Sequence, residues 1–395
     1  MTFEFLAQGV QSKREKGQYR QVKLYDGISV SAVNAGRQSL INFASNDYLG
    51  LNGHPQILDA YQQGLQQYGS SSSSAALITG YSKPHQYLER QLSEWLGAER
   101  SLLYSSGYSA NSGLFQALLK SGQLNVVFDR LCHASMLNNM FHYPKSCQRF
   151  AHNEQSDLDR RLNQCKADNK LVAIEGVYSM DGDKGDIATV FAQCQRHKAA
   201  LYIDDAHGIG VLGEQGQGSA RVALANVSCQ VPSNVTQMVT FGKALATSGA
   251  AIAGSQELIE YLTNFCGEYI FSTSMSAANA LATSKSIDVC QRDNWRRQKL
   301  EELRQTLVEQ LSSDIHTTNS ESPIIGILTG SEENTVRIAE AITSKGYLVS
   351  AIRPPTVEPG KSRLRVTLSA KHNVNDINGL ASAINQAMEE ESLPC

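Results

Sequence analysis

The spacing of apolar and polar positions changes character several times along the chain. Residues 3–17 carry a weak helical spacing that ends at Gly17. Residues 20–43 read as short strands with turns at Asp26-Gly27 and Asn34-Ala35-Gly36. A polar loop, Ser45-Asn46-Asp47-Tyr48-Leu49-Gly50-Leu51, breaks that pattern, and 55–68 is helical again. Gly69 followed by Ser70 to Ser74 is too short to join two globular units, so we read an ordered loop, with a flexible tether as the alternative. Pro84 opens a helix that sets Tyr87, Leu88, Leu92, Trp95 and Leu96 near one face.

From residue 100 to 255 apolar runs alternate with helical stretches. The runs are 101–104, 126–129, 171–177, 199–204 and 237–241, and the intervening helices fall near 108–120, 134–141, 155–167 and 187–198. This β-α alternation predicts an α/β fold whose sheet is mostly parallel and covered on both faces. Residues 289–313 predict one long helix with Leu300, Leu303, Leu307 and Leu311 as a core-facing stripe. A smaller α+β lobe follows, with strands at 323–328, 347–352 and 363–368 and helices at 333–345 and 374–390. The expected division is an N-terminal lobe over 1–45, a large domain over 46–288 and a C-terminal domain over 289–395.

Length and composition fit this picture. At 395 residues and 41% apolar content the chain is an ordinary globular protein of more than one lobe. Its net charge is 35 − 38 = −3 with scattered basic residues, which argues against nucleic acid as a partner. The eight cysteines, at 132, 147, 165, 194, 229, 266, 290 and 395, form no Cys-x-x-Cys and no zinc-ligand spacing, so they read as reduced thiols and no metal site is expected. Met1-Thr-Phe-Glu-Phe-Leu lacks the pattern of a secretory leader, and no apolar run approaches membrane-spanning length. The expected location is the cytoplasm.

In open parallel sheets ligands gather at the carboxyl ends of the strands, so the polar residue at each exit is informative. The run Gln237–Phe241 delivers Gly242-Lys243, followed by small residues. A lysine buried there has a lowered pKa and can form a Schiff base; the segment alone also fits a strand-end lysine that reaches solvent. Strand 101–104 exits into Ser105-Ser106-Gly107-Tyr108 and a helix, the form of an anion site or of an ordinary turn. Strand 126–129 leads to His133, which can stack on a ring or serve structurally. Strand 171–177 carries Glu175, costly in a buried run unless paired, and leads to Ser179. Strand 199–204 ends in Asp204-Asp205-Ala206-His207-Gly208, able to bind a cationic nitrogen and a neighbouring oxygen, or a metal. Lysine, aspartate, two histidines, a serine and a helix start together match the needs of pyridoxal 5′-phosphate: an amine for its aldehyde, a carboxylate for its ring nitrogen, a helix N-terminus for its phosphate and a flat group for its ring.

Other motifs fail on context. Gly208-Ile-Gly-Val-Leu-Gly213 has the spacing of a dinucleotide fingerprint, but Glu-Gln-Gly-Gln-Gly follows it instead of a helix. Gly360-Lys361-Ser362 lacks the first glycine of a P-loop. There is no Gly-x-Ser-x-Gly elbow and no His-Glu-x-x-His.

Four segments, Asp204–Gly208, Thr240–Lys243, Glu175–Asp183 and Ser45–Gly50, resemble the α-oxoamine synthases, and the resemblance runs from about residue 20 to 390. It implies a fold-type I pyridoxal-phosphate transferase that condenses an amino acid with an acyl thioester and releases carbon dioxide. The short N-terminus, Arg149-Phe-Ala-His-Asn153 and Arg353-Pro-Pro-Thr-Val357 are most similar to the branch that joins L-alanine to a pimeloyl thioester, carried by CoA or acyl carrier protein. By the same resemblance Lys243 would carry the Schiff base and remove the Cα proton, and Asp204 would hold the ring nitrogen. His207 and Ser179 would address the ring oxygen. His133 would stack on the ring and polarise the thioester carbonyl. Gly107, Tyr108 and Thr240 would bind the phosphate, Arg365 and Asn46 the alanine carboxylate. Arg20 and Thr356 would line the acyl path, and Thr273 would reach the phosphate of the partner in a homodimer.

Two segments depart from the family. The serine run stands where it usually has glycines, so no binding role is carried onto that loop, and Ser276-Ala277-Ala278 stands where proline often follows Ser274-Met275. The alternatives are another condensing enzyme (glycine with acetyl- or succinyl-CoA, serine with palmitoyl-CoA, or a signal-molecule synthase), a non-catalytic subunit, or a nicotinamide oxidoreductase.

Overall fold

The computed structural model describes residues 3–392 apart from 17, 35, 37, 228 and 229, so the helix end expected at Gly17 and the centre of the turn at 34–36 lie outside the described residues. The main sheet has seven strands: β4 (Arg100–Tyr104), β5 (Leu124–Asp129), β6 (Cys147–Phe150), β7 (Asn169–Glu175), β8 (Ala200–Asp204), β9 (Val235–Thr240) and β10 (Ala250–Gly254). Three short strands precede them, β1 (Tyr25–Asp26), β2 (Ser31–Asn34) and β3 (Ser39–Asn42). Four follow: β11 (Ile324–Gly330), β12 (Tyr347–Leu348), β13 (Ser350–Ile352) and β14 (Ser362–Thr367).

The main sheet runs in the order β4-β10-β9-β8-β7-β5-β6, with β5 to β9 paired in parallel and β10 antiparallel to both its neighbours. Helices α1 (Glu4–Glu15), α2 (Pro55–Tyr68), α3 (Lys83–Leu96), α4 (Gly107–Lys120), α5 (Ala134–Met140), α6 (Gln155–Gln164), α7 (Ile187–His197) and α8 (Ser219–Ala223) are interleaved with the strands up to β9. Helices α9 (Gln256–Phe265), α10 (Gly267–Ile270), α11 (Ala277–Arg292), α12 (Trp295–Gln310), α13 (Glu332–Ser344) and α14 (Val374–Ser392) complete the chain. Among the described residues no helix is long and apolar enough to cross a membrane.

Strand alternation decides which side chains meet. Phe128, Ala173, Tyr202 and Met238 pack with residues of α4 and α5 on one face, whereas Val127, Val172, Ile174, Leu201 and Ile203 pack with α6 and α7 on the other. Continuing that two-residue period, Asp204 stands on the α4 face at the end of β8, beside Glu175 at the end of β7.

The local chemistry sets the helix limits. Ser82 and His85 form a capping box at the start of α3, and Gly97 ends it in the left-handed conformation at φ 68°. Ser106 caps α4 by accepting the Ser109 N–H at 3.1 Å.

The expectation of one helix over 289–313 does not hold. Residues 289–292 finish α11, the chain breaks at Asp293-Asn294, and α12 begins at Trp295. Asp293 accepts from the side chains of Arg292 and Arg296 and Asn294 from that of Arg297, so the break is tied to the arginines on both sides of it. Leu300, Leu303 and Leu307 are buried as the stripe predicts, while Leu311 lies past the last turn. The segment 347–352 divides between two sheets: β12 joins β3 of the N-terminal sheet, and β13 joins β14 and β11. Helix α11, which includes residue 288, packs on α2 and α3.

The turn Tyr178–Asp183 joins the main sheet to the C-terminal sheet. Gly182 holds φ +74° there, and a Cβ would come within the contact distance of the Ile324 carbonyl. Gly182→Ala should therefore lower stability by roughly 2–4 kcal/mol, measured by denaturant unfolding. A change below about 0.5 kcal/mol would mean that the turn is not held against β11.

Candidate active site

Five strand exits converge. Lys243 follows β9 with its amine half-buried, 2.7 Å from Nε2 of His207. Burial lowers its pKa to about 8, with nearby Asp204 working in the opposite direction. His207 is 6% exposed, and burial, reinforced by the Lys243 charge, keeps its pKa well below the usual value. The neutral ring fits its contacts. Nε2 faces Lys243, Nδ1 lies 2.7 Å from the Tyr48 hydroxyl, and that hydroxyl donates to Asn46 Oδ1 at 3.1 Å. Asn46 Oδ1 also accepts from Arg365 Nη2 at 3.2 Å, while Arg365 Nε donates to the Ser179 carbonyl at 2.6 Å. One line of hydrogen bonds thus runs from the lysine amine to a buried guanidinium.

Asp204 has its own network. Oδ2 accepts from Asn111 Nδ2 at 2.8 Å and Oδ1 from the Ala206 N–H at 3.1 Å. The same Asn111 amide donates to Ser135 Oγ at 2.8 Å and accepts from the Tyr202 hydroxyl. Ser135 Oγ lies 2.8 Å from His133 Nδ1, which also accepts the Ser135 N–H, so a neutral His133 carries its proton on Nε2. Burial lowers the His133 pKa, and Lys243 adds to that while Asp204 opposes it. Each carboxylate oxygen of Asp204 keeps a lone pair beyond the one that Asn111 or Ala206 occupies, on a group only 4% exposed.

Sequence reasoning passed over Asn111 and Tyr48. The available signal for Asn111 was a polar side chain one turn into a helix on its buried face. Tyr48 sits inside a motif already singled out, but a tyrosine before an apolar run reads as core.

Glu175, costly in a buried run unless paired, could mark a site or a structural ion pair. It has no ion pair among the described residues and its Oε1 has no partner; burial, with Asp204 beside it, holds its pKa well above the usual range and so keeps it neutral.

Gly107 and Tyr108 form the first turn of α4, where backbone N–H groups have no intrahelical acceptor. Gly107 lies against β9: a Cβ there would be 3.6 Å from that of Thr240. Tyr108 is half-exposed and its hydroxyl accepts from Asn138 at 2.8 Å. Ser179 and Thr356 line a cleft of about 1250 Å³ between the main sheet and the C-terminal lobe, and Cys132, next to His133 in the chain, is on its wall. Arg20 lies farther out, in a cavity beside α1 that shares Gln18 and Pro355 with the cleft.

Thr273 lies on the segment 272–275 that precedes α11. It pairs with Ala75, and Ser74 O accepts the Ser274 N–H at 3.0 Å. Ser72 Oγ donates to the Met275 carbonyl at 2.6 Å, and His85 Nε2 lies 2.8 Å from that oxygen. The serine run is therefore docked on 272–275. At the departure that follows Met275, Ser276 caps α11 by accepting the Asn279 N–H at 3.2 Å.

Comparison with known proteins identifies the family. Residues 38–384 match the model of the family described as aminotransferase class I and II. The chain is 42% identical to the 8-amino-7-oxononanoate synthase of Alcanivorax borkumensis, over 98% of this chain and 99% of that one. It is 40% identical to the synthase of the same name from Photobacterium profundum, over 97% and 96% of the two chains. Among solved structures, Sphingomonas wittichii serine palmitoyltransferase superposes with a TM-score of 0.88 at 26% identity, covering 100% of this chain and 99% of that one. The 8-amino-7-oxononanoate synthase of Francisella tularensis gives 0.77 at 22% identity, covering 90% and 99%. The chain belongs to the aminotransferase class I and II family.

Proposed function

We propose that the protein condenses L-alanine with a pimeloyl thioester to give 8-amino-7-oxononanoate, carbon dioxide and the free thiol, the reaction that leads toward biotin. The observation that carries this reading is the pairing of an amine with lowered pKa and a buried carboxylate on one strand-end rim. Relatives named 8-amino-7-oxononanoate synthase, at 40–42% identity over nearly the whole chain, favour alanine and pimeloyl thioester over serine and palmitoyl-CoA.

The donor set fits pyridoxal phosphate. Lys243 would hold its aldehyde carbon, Asp204 its ring nitrogen, and His207 and Ser179 its ring oxygen. His133 would cover the ring, and Gly107, Tyr108 and Thr240 would hold the phosphate. When bound, pyridoxal phosphate supplies an electron sink for the bonds that break at Cα.

The chain's own groups do the rest. Asp204, fixed by Asn111, holds a proton on the group it faces rather than taking it, because its oxygens are already acceptors for two donors. Arg365 and Asn46 fix the alanine carboxylate, which orients the Cα–H toward the lysine amine. An uncharged Lys243 takes that proton, and His207, itself neutral, receives the amine's hydrogen bond without competing for charge. His133 presents Nε2–H to the thioester carbonyl. Loss of carbon dioxide and return of the proton from Lys243 complete the cycle.

The reading includes a homodimer in which Thr273 reaches the phosphate held by the second copy. Exposed Leu77, Ile78 and Phe271 beside the Thr273 segment are apolar surface that such a copy would cover.

Lys243→Ala should lower kcat by more than about 10³-fold and abolish the visible absorbance of lysine-linked cofactor, while Asp204→Asn should retain cofactor and lose about 10²–10³-fold in kcat. Wild-type turnover in Lys243→Ala would falsify the assignment. A panel of amino acids and acyl thioesters decides the substrate. L-alanine with pimeloyl-CoA or pimeloyl acyl carrier protein should release carbon dioxide and thiol in equal amounts. Turnover confined to glycine with a short acyl-CoA, or to serine with palmitoyl-CoA, would refute the choice.

A further inference from the structure

The segment Arg149–Asn153 has no part in the chemistry above, yet it holds the most heavily bonded imidazole of the cleft. His152 Nδ1 lies 3.0 and 3.1 Å from the two oxygens of Asp129, and Nε2 lies 2.8 Å from Asp183 Oδ2. Both acceptors are carboxylates, so both ring nitrogens donate and the ring is an imidazolium. Burial opposes the charge, but the bonds to Asp129 and Asp183 outweigh it and push the pKa up to about 9. The Tyr178 ring meets the imidazole edge-on, at 4.4 Å between centroids. Asn153 doubles the clamp: its N–H donates to Asp129 at 3.0 Å and its amide to Asp183 at 3.0 Å.

Asp129 ends β5, whereas Asp183 closes the turn Tyr178–Asp183, in which Tyr178 N–H donates to the Asp183 carbonyl at 2.9 Å. The opposite side of that turn is tied to the C-terminal lobe. Asp181 pairs with Arg363, and Thr318 donates to the Asp181 carbonyl at 2.6 Å. Ser179, in the same turn, offers the carbonyl that accepts from Arg365 Nε. We propose that His152 is a positioning residue for substrate-carboxylate recognition. Clamped between Asp129 and Asp183, it fixes the turn whose Ser179 carbonyl aims the Arg365 guanidinium. The proposal rests on the reading of Arg365 as the carboxylate-binding group. The other charged groups near the ring, Arg149, Asp157 and Arg161 along the cleft wall and the Asp181–Arg363 pair, are not bonded to it in the structure.

The test uses the holoenzyme. His152→Gln should raise the KM for L-alanine about ten-fold, with kcat and the KM for the thioester within about two-fold, because the loss falls on binding shared by ground and transition states. Asp183→Asn should shift the same constant in the same direction. The clamp is complete below the raised pKa and is lost as pH rises through it, so the ratio of variant to wild-type KM should be flat to pH about 8 and fall toward one above pH about 9. In ¹⁵N spectra of the histidine rings, one ring should stay doubly protonated at pH 8 and vanish in His152→Gln. Should His152→Gln fail to fold, Asp183→Asn and the wild-type ring spectrum decide. An unchanged alanine KM with only a lower melting temperature, a loss confined to kcat, or a singly protonated ring at pH 8 would overturn the proposal. Arg365→Ala separates the two readings. If it leaves the alanine KM unchanged, the carboxylate assignment falls; if it raises KM while His152→Gln does not, only the role of His152 falls.

Discussion

An amine can act as nucleophile and base only while uncharged, and water keeps a lysine charged; removing Lys243 from water is the constraint on which the site depends. The apolar β9 run and its antiparallel neighbour β10 carry the backbone into the core, and burial lowers the amine's pKa to about 8. The groups around the amine are matched to that state. His207 is buried and neutral, so it accepts a hydrogen bond without adding a second charge. Through Tyr48 and Asn46 the same line of bonds reaches Arg365, which couples the amine's position to that of a buried guanidinium.

Around this amine the protein distributes charge unevenly. Asp204 remains an acceptor held by two donors, while Glu175 beside it, with an unpartnered oxygen, stays neutral. A neutral Glu175 places no second buried charge beside the Asp204 acceptor. On the opposite sheet face the logic reverses: Asp129 and Asp183 surround His152 and hold it as a cation. The alternation of β-strand side chains keeps these two arrangements apart, so that one face can serve chemistry and the other can brace the turn into the C-terminal lobe.

Much of this was readable in the chain, because a parallel sheet places ligands at strand ends and the strand ends carry conspicuous residues. Lys243, Asp204, His207, His133 and Ser179 all sit at exits marked by apolar runs. What escaped notice has physical causes. Strand β10, Ala250–Gly254, is built of small residues that give no two-residue period, and β6 is a short edge strand. Helix α11 buries nearly every turn among alanines and serines, so its pattern has no single apolar stripe, and the break at Asp293-Asn294 hides inside a continuous run of helix formers. Asn111 acts through an amide whose three partners, Ser135, Tyr202 and Asp204, come from α5 and β8, and no spacing in one dimension announces such a meeting.

The state of the Lys243 amine can be measured directly. In protein freed of cofactor, the rate at which residue 243 is modified by an aldehyde trapped with borohydride, read by mass spectrometry of its peptide, should rise with pH and level off around a midpoint of about 8. A midpoint near that of an ordinary exposed lysine, about 10.4, would show that the amine is not held uncharged by burial and would contradict the account.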